Sequence, residues 1–441
     1  MLISDLLGQN VALLGAGRET RALAQRIRAQ APEQVLHWYS EAPVPEFTPG
    51  ACDELLVGDL AAAPLGQHDI LVRSPGISPY REALQRAVEQ GAEITSGSNL
   101  WLAENPSART LCVTGTKGKS TTSALLAHLL RASGQRVGLA GNIGVPLLAC
   151  DAASADWWVL ELSSYQLCDL RESVWLGLIT NLSDEHLDWH GGAERYRRDK
   201  LRLAELTPRG RLLANAADAD LRQRLAHRPD THWFNGAEGV HVANGQLWLD
   251  DVAVPECAAL PGAHNRENLA AALAALQLIH KLPPDLPGAL AAFQGLPHRL
   301  QMVGEYAGRR YYDDSLSTTP IATLAALEAL AGQPITVLVG GLDRGLDWQA
   351  LACDFASHAP HALIAMPDSG QRLLQDLVAG GLNPPGGMHL AQDLEQAVAL
   401  AREATPAGGV VLLSPGAPSF PHFRDFQHRG ERFADLAAEQ G

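Results

Sequence analysis

The chain opens with a short apolar run, residues 10–14, that stops at Gly15, and residues 20–30 place apolar side chains at helical spacing. This predicts a strand, a glycine turn and a helix, the start of a βαβ unit. Residues 34–39 and 69–72 read as further strands, the second running into the turn Ser74-Pro75-Gly76. Residues 81–90 read as a helix stopped by Gly91, and residues 97–105 as a connector. A second series begins at residues 110–113, where a β-type run enters another glycine turn, and residues 122–130 then carry Leu125, Leu126, Leu129 and Leu130 at helical spacing. Runs at 157–160 and 176–180 end at Glu161 and Asn181, so polar groups fall where parallel sheets present ligands. Residues 215–220 suggest another αβ step, 241–252 a small β-rich segment, 268–280 an Ala-rich helix, and 289–293 a restart after it. From about His298 the α/β pattern returns, with strand-like runs at 310–312, 335–339, 362–366 and 410–413, and no internal repeat is visible.

Length and composition narrow the picture. At 441 residues the chain is long enough for about three domains, and 46% apolar with 19% charged residues describes a soluble folded protein. Against 34 Lys and Arg stand 49 Asp and Glu, a formal charge of −15, which argues against a generic nucleic-acid or anionic-membrane surface. An anionic substrate must therefore be met by locally placed cations. Cys52, Cys112, Cys150, Cys168, Cys257 and Cys353 lie far apart with no C-x-x-C pair, and read as buried, reduced thiols. Residues 1–10 lack a basic cluster or long apolar run, and no 18-residue apolar stretch occurs elsewhere, so a cytoplasmic protein with no membrane span is expected.

The segment Thr114-Gly115-Thr116-Lys117-Gly118-Lys119-Ser120-Thr121 lies between an apolar strand and an amphipathic helix, as a phosphate loop must. Glycines let backbone N–H groups turn inward, the helix N-terminus adds partial positive charge, Lys119 faces the phosphates, and Ser120 can ligate Mg²⁺. Two residues separate Gly115 from Gly118 where the common loop has four, so this is a shortened form. Glu161 and His186, beyond the next strand ends, can supply hard ligands to the metal. Taken alone, Glu161 reads equally as a cap or solvated carboxylate, and His186 as an ordinary surface or core histidine. The opening Gly15-Ala16-Gly17-Arg18-Glu19-Thr20 imitates a dinucleotide fingerprint, but Thr20 replaces the third glycine and Glu41 is the acidic residue near the end of the second strand. Such a turn still suits a diphosphate, with Ser74-Pro75-Gly76 lining the same crevice.

These segments, together with Gly141-Asn142-Ile143-Gly144, Glu161 to Gln166, Asn181 to His186, Lys200, Gly262 to Asn268, Leu296-Pro297-His298-Arg299 and Asp314-Ser315, occur in an order that resembles the Mur ligases across essentially the whole chain. Within that family the chain is most similar to the branch that joins glutamate to UDP-N-acetylmuramoyl-L-alanine. The resemblance implies an α/β protein of three domains: a Rossmann-like UDP-binding domain over 1–97, a P-loop ATPase domain with a parallel sheet over 98–297, and a Rossmann-like amino-acid domain over 298–441. It implies an ATP-dependent amide ligase of peptidoglycan precursor synthesis, working with two Mg²⁺ ions, with no nucleic-acid partner, as a monomer. ATP phosphorylates the alanyl carboxylate, and the incoming amine attacks the acyl phosphate through a tetrahedral intermediate.

By position, Gly115, Thr116, Lys117, Gly118, Lys119, Ser120 and Thr121 match the family's ATP loop, with Asn268 at adenine, Arg299 near the phosphates and Asp314 at the ribose. Ser120, Glu161, His186 and a carbamylated Lys200 match the metal shell, and Lys119, Lys200, His186 and Glu161 the catalytic set. Read without the family, Lys200 lies on a solvated face of an Arg-rich helix. Gly17, Arg18, Ser40, Ser74, Pro75, Gly76, Asn142, Ser163, Gln166 and His186 match the UDP-substrate contacts, and His264-Asn265 support the nucleotide pocket. Thr318, Arg344, Ser419 and Phe426 match the glutamate site.

Departures from the family pattern are specific. Where D-glutamate ligases read D-S-K-A-T-N, this chain has Asp314-Ser315-Leu316-Ser317-Thr318-Thr319-Pro320, which removes a lysine and favours L- over D-glutamate, the D-adding reaction being the alternative. Arg18, Glu19 and Thr20 change the diphosphate loop, and Tyr39-Ser40-Glu41 replaces an Asp-Thr-Arg type uracil contact. More remote readings are a folylpolyglutamate-type ligase, an NAD-dependent oxidoreductase through Gly15 to Thr20, and a non-catalytic nucleotide-binding regulator.

Overall fold

A computed structural model describes residues 1–41, 50–343, 348, 354–355 and 358–439. They form two compact units, Met1–Pro255 with His264–Leu290, and Glu256–Ala263 with Ala291–Gly441.

The first unit holds two parallel sheets. One is built from β1 (Val11–Leu14), β2 (Leu36–Ser40), β3 (Glu54–Val57), β4 (Ile70–Arg73) and β5 (Glu93–Ser96) in the order β3-β2-β1-β4-β5. The other contains β6 (Thr110–Thr114), β7 (Val137–Gly141), β8 (Trp157–Glu161), β9 (Leu176–Ile179), β10 (Leu212–Asn215) and β11 (His232–Phe234), in the order β11-β10-β9-β6-β8-β7. Because β1 lies between β2 and β4, and β6 between β8 and β9, both glycine turns leave from central strands whose neighbours supply the flanking loops. An antiparallel ribbon of β12 (Val240–Ala243), β13 (Gln246–Leu249) and β14 (Val252–Ala253) completes the predicted β-rich segment.

The segment expected as a connector is instead the helix Gly97–Glu104, begun by Ser96, whose hydroxyl accepts from the Asn99 N–H. Its residues 97–102 are all buried, polar Ser98 and Asn99 included, so no one-sided apolar stripe marks it in the sequence. Trp101 stands edge-on to Trp158 at 5.4 Å within a core that joins side chains of both sheets. The Ala-rich helix begins earlier than its apolar run, at Ala263, and extends to Leu278. Of the five cysteines described, all free, Cys112 and Cys257 are buried while Cys52, Cys150 and Cys168 are partly exposed, which corrects the expectation of uniform burial.

The second unit contains β15 (Gln301–Tyr306), β16 (Arg309–Asp313), β17 (Ile335–Gly341), β18 (Ala362–Asp368), β19 (Met388–Leu390) and β20 (Val410–Leu413), ordered β15-β16-β20-β17-β18-β19. β15 is antiparallel to β16 and the remaining pairs are parallel. Near-continuous apolar burial along β17, β18 and β20 explains why these runs were legible.

Candidate active site

Buried β6 delivers the chain to Gly115, and Gly118 opens the helix Lys119–Ala132. Both glycines hold positive φ, and both are packed from behind: a Cβ on Gly115 would lie 1.8 Å from Thr180 Oγ1, and one on Gly118 2.1 Å from Asn268 Oδ1. The Thr116 N–H donates to the Asn181 carbonyl at 3.0 Å and the Lys117 N–H to Asn181 Oδ1 at 2.8 Å. Thr180 donates its hydroxyl to the Lys117 carbonyl at 2.7 Å, while Thr116 and Tyr196 pair hydroxyls at 2.8 Å. The loop is therefore fixed by its neighbours before any ligand arrives. Lys119 donates to the Thr116 carbonyl at 3.0 Å, and Lys117 is paired with Glu185.

Beneath this loop lies Lys200, on the helix Ala193–Leu206, 2% exposed, its Nζ donating to the Gly115 carbonyl at 2.8 Å and standing 5.0 Å from the Tyr196 ring centre. The solvated-face reading fails because the apolar stripe of that helix carries Lys200 inward with Tyr196 and Leu203. Burial, with the nearby Lys119 charge, holds the amine well below the usual lysine range, favouring its neutral form.

Glu161 closes β8 with no exposure, so it is neither a cap nor a solvated carboxylate. Its Oε1 accepts from Asn142 Nδ2 at 2.6 Å, whereas Oε2 is buried with no partner among the described residues. An orphaned carboxylate oxygen beside a phosphate loop fits a hard cation. His186 holds φ +54° and lies 5.0 Å from the Tyr165 ring, and burial lowers its pKa despite Glu185, leaving a neutral ring nitrogen as donor. No group of three or more His, Cys, Asp or Glu side chains positioned for a metal occurs among the described residues.

The first glycine turn is built differently. Cβ atoms on Gly15 and Gly17 would each lie 3.0 Å from Ser74, so Ser74 is set directly against the turn. Thr20, in place of a third glycine, donates its hydroxyl to the Gly15 carbonyl at 2.6 Å. Arg18 donates to the Gly144 carbonyl at 2.9 Å, joining this turn to the segment carrying Asn142. Ser40 ends β2, its carbonyl accepting from the Gly58 N–H. The Pro75 carbonyl accepts from Arg73 at 3.4 Å and the Gly76 carbonyl from Trp189 Nε1 at 2.9 Å. Ser163 and Gln166 form a capping box at the helix Ser164–Leu167, and Gln166 Nε2 also donates to Glu19 at 2.8 Å.

In the second unit Asp314 is 4% exposed and accepts from the Leu300 N–H (3.1 Å), Ser317 Oγ (2.6 Å) and Ser414 Oγ (2.7 Å), with burial pushing its pKa up to about 6. Arg299 acts on Asp314 electrostatically. Thr318 is half-buried, Ser419 lines a cavity of about 340 Å³, and the Phe426 carbonyl accepts from Ser315 at 2.8 Å. Arg344 lies outside the described residues.

Residues 113–276 match the Mur ligase middle domain and residues 298–416 the Mur ligase glutamate ligase domain. The UDP-N-acetylmuramoyl-L-alanine--L-glutamate ligase of Xanthomonas axonopodis pv. citri (strain 306) is 45% identical, covering 99% of this chain and 97% of its own. The chain belongs to the Mur ligases. Among solved structures, MurF from Acinetobacter baumannii superposes with a TM-score of 0.63 at 18% identity, covering 97% of this chain and 90% of that one. MurF from Thermotoga maritima, solved in complex with ADP, gives 0.58 at 16% identity, covering 100% and 97%. These matches carry the three-domain Mur ligase fold.

Several side chains that shape this Mur ligase site escaped the sequence. Arg73, fully buried at the end of β4, holds Asp169 through Nε and Nη2, each at 2.6 Å. Tyr80 donates to Asp199 at 2.6 Å, Asp199 pairs with His190 Nδ1 at 2.7 Å, and His190 Nε2 meets Ser164 Oγ at 3.0 Å. This buried chain runs from the turn after β4 to the helix that carries Lys200. Its members are scattered over 80–199 and follow no periodic pattern; the hint was a buried-strand Arg at β4 and polar residues inside helical runs.

Proposed function

We propose that this Mur ligase joins glutamate, with L-glutamate preferred, to UDP-N-acetylmuramoyl-L-alanine at the expense of ATP, in the cytoplasm and as a monomer. The observation that carries the reading is the phosphate loop backed by Lys200 and flanked by Glu161 with its free buried oxygen. The 45% identity to the UDP-N-acetylmuramoyl-L-alanine--L-glutamate ligase of Xanthomonas axonopodis, and the Leu316 to Pro320 segment, support the amino acid and its handedness.

In this reading residues 1–97, 98–297 and 298–441 are the UDP-substrate, ATP and amino-acid domains. Gly115 to Thr121 cradle the ATP phosphates, Lys119 neutralises charge as the terminal phosphoryl group moves to the alanyl carboxylate, and Asn268 faces adenine. Ser120, Glu161, His186 and a carbamylated Lys200 would hold two Mg²⁺ ions, which supply charge neutralisation at the phosphates. A neutral, buried amine is the form of lysine able to take up CO₂, which is why the environment of Lys200 suits the modification. Gly17, Arg18 and the turn at Ser74 receive the diphosphate, and Asn142, Ser163 and Gln166 the muramoyl-alanine end. Thr318, Arg344, Ser419 and Phe426 orient glutamate for attack of its amine on the acyl phosphate, with expulsion of phosphate. Arg299 and Asp314 serve the nucleotide, which requires Asp314 to exchange internal hydrogen bonds for the ribose.

Phosphate release with ATP, Mg²⁺ and UDP-N-acetylmuramoyl-L-alanine tests the reading. Turnover stimulated by L-glutamate, with the product mass of the amide, is expected; turnover with D-glutamate alone reverses the handedness, and none with either overturns the substrate assignment.

A further inference from the structure

Arg299 and Asp314, assigned above to the nucleotide, each follow a residue that the reading leaves without a role, and those two residues are bonded to each other. His298 Nδ1 lies 2.7 Å from Asp313 Oδ2, and because an ionised carboxylate only accepts, Nδ1 is the donor. This bond raises the pKa of His298, with burial opposing it. Asp313 is 1% exposed, and its Oδ1 accepts from the Ser315 N–H at 2.9 Å. The same carboxylate therefore shapes the turn on which Asp314 sits.

The backbone around Arg299 is bent in an uncommon way. His298 and Leu300, on either side of it, hold φ of +60° and +46°. Such values are rare for leucine and persist only where neighbours enforce them. Three bonds to the 313–316 segment do so: the His298–Asp313 pair, the Leu316 N–H to the His298 carbonyl at 3.0 Å, and the Leu300 N–H to Asp314 Oδ1 at 3.1 Å. The third is among the internal bonds that Asp314 exchanges for the ribose in the reading above. The two bonds at His298 are then left to hold the bend.

The helix Phe426–Glu439 leaves room for the pair. A Cβ on Gly430 would lie 2.2 Å from His298 Nδ1 and 2.3 Å from Asp313 Oδ2. Gly430 is not in the left-handed region, so its own backbone does not call for glycine. Inside a helix glycine is less favourable than alanine, and what it gives here is space for the pair. Phe426, four residues earlier, stands edge-on to the His298 ring at 5.9 Å.

We infer that the His298–Asp313 pair is a positioning device for the nucleotide: it fixes the bend that carries Arg299 and the turn that carries Asp314, so that both meet the same ADP or ATP. This rests on the ligase reading above, which assigns those two residues to the nucleotide.

ADP binding by the full chain, measured calorimetrically with Mg²⁺, tests it. His298→Ala removes the donor, and Gly430→Ala keeps both partners but drives a methyl group between them. Each should raise the Kd for ADP about tenfold or more. His298→Asn carries Nδ2 where the ring carries Nδ1 and tolerates positive φ, so its Kd should stay within about threefold of the wild type. The KM for UDP-N-acetylmuramoyl-L-alanine should change by less than about twofold in all three. An unchanged ADP affinity in either alanine variant, an asparagine variant as weak as His298→Ala, or an equal rise in the UDP-substrate KM overturns the inference. A crystal structure of the wild type with ADP stands independent of how the variants fold. Nδ1 and Oδ2 should remain within about 3.2 Å while Arg299 and Asp314 hold the nucleotide, and a broken pair with ADP bound there overturns the inference. A wild type that binds no ADP would instead sink the ligase reading itself, so the two failures are distinct.

Discussion

The first unit contains two strand-turn-helix junctions with the same outline and different surroundings. At 115–118 the glycines are packed from behind by Thr180 and Asn268, a buried lysine supports the turn from below, and a carboxylate with a free oxygen stands on the neighbouring strand. At 15–17 the glycines touch Ser74, Thr20 ties the turn to its own carbonyl, and Arg18 is spent on the Gly144 carbonyl. The glycine pattern alone specifies a turn that can admit a phosphate. In the proposed ligase reading, what separates the turn that binds from the one that drives phosphoryl transfer is charge brought in by other strands and helices.

Removing that charge should give the largest effect. Lys119→Ala is expected to lower kcat about 10³-fold or more in the phosphate-release assay, with the fold intact by circular dichroism. Arg18→Ala should instead raise the KM for UDP-substrate by about tenfold or less with kcat held. Comparable kcat losses in the two variants would break the contrast.

Lys200 sharpens it. Stripping CO₂ and bicarbonate from the assay should reduce turnover reversibly, and Lys200→Arg, which cannot form the carbamate, should be inactive and insensitive to added bicarbonate. Full activity without CO₂ would leave Lys200 a structural support for the Gly115 carbonyl.

The packing difference predicts stability. Gly115→Ala must displace Thr180 or the chain at positive φ, and should lower unfolding free energy by about 1–3 kcal/mol, while Gly17→Ala, facing Ser74 at 3.0 Å, should lose under about 1 kcal/mol. Denaturant melts with both variants compare the two turns directly.

Asp314 gives the one effect that depends on pH. Its folded pKa of about 6 exceeds the ordinary value of 3.8, so the folded state favours the protonated form. Its contribution is fully present below about pH 4 and is lost as pH rises through about 6, with a ceiling of roughly 3 kcal/mol. Asp314→Asn should therefore match the wild type near pH 4 and melt higher at pH 7. A variant equally destabilised at both pH values would contradict the sign.

Legibility followed burial pattern. Runs such as 110–113, 157–160 and 410–413 are apolar on both faces and lie in sheet centres, so they were readable. β7 carries Gly138 and Gly141, with Gly138 set against the Trp158 ring, and β3 is largely exposed, so neither gave a strand signal. In the site, the glycine turn at 115–118 was visible because its strand-turn-helix pattern is local. The burial of Lys200, the Arg73–Asp169 pair and the Tyr80–Asp199–His190–Ser164 chain arise when distant segments meet, and no spacing rule encodes them.

The central claim is that the charge gathered around the second glycine turn activates a carboxylate for attack by glutamate. Phosphate release by the wild type with ATP, Mg²⁺ and UDP-N-acetylmuramoyl-L-alanine, run with L-glutamate and D-glutamate in parallel and the product weighed by mass spectrometry, tests it most directly. Glutamate-dependent turnover yielding the amide, greater with L-glutamate, is the predicted result. Phosphate release that ignores both glutamates, or no release at all, would contradict it.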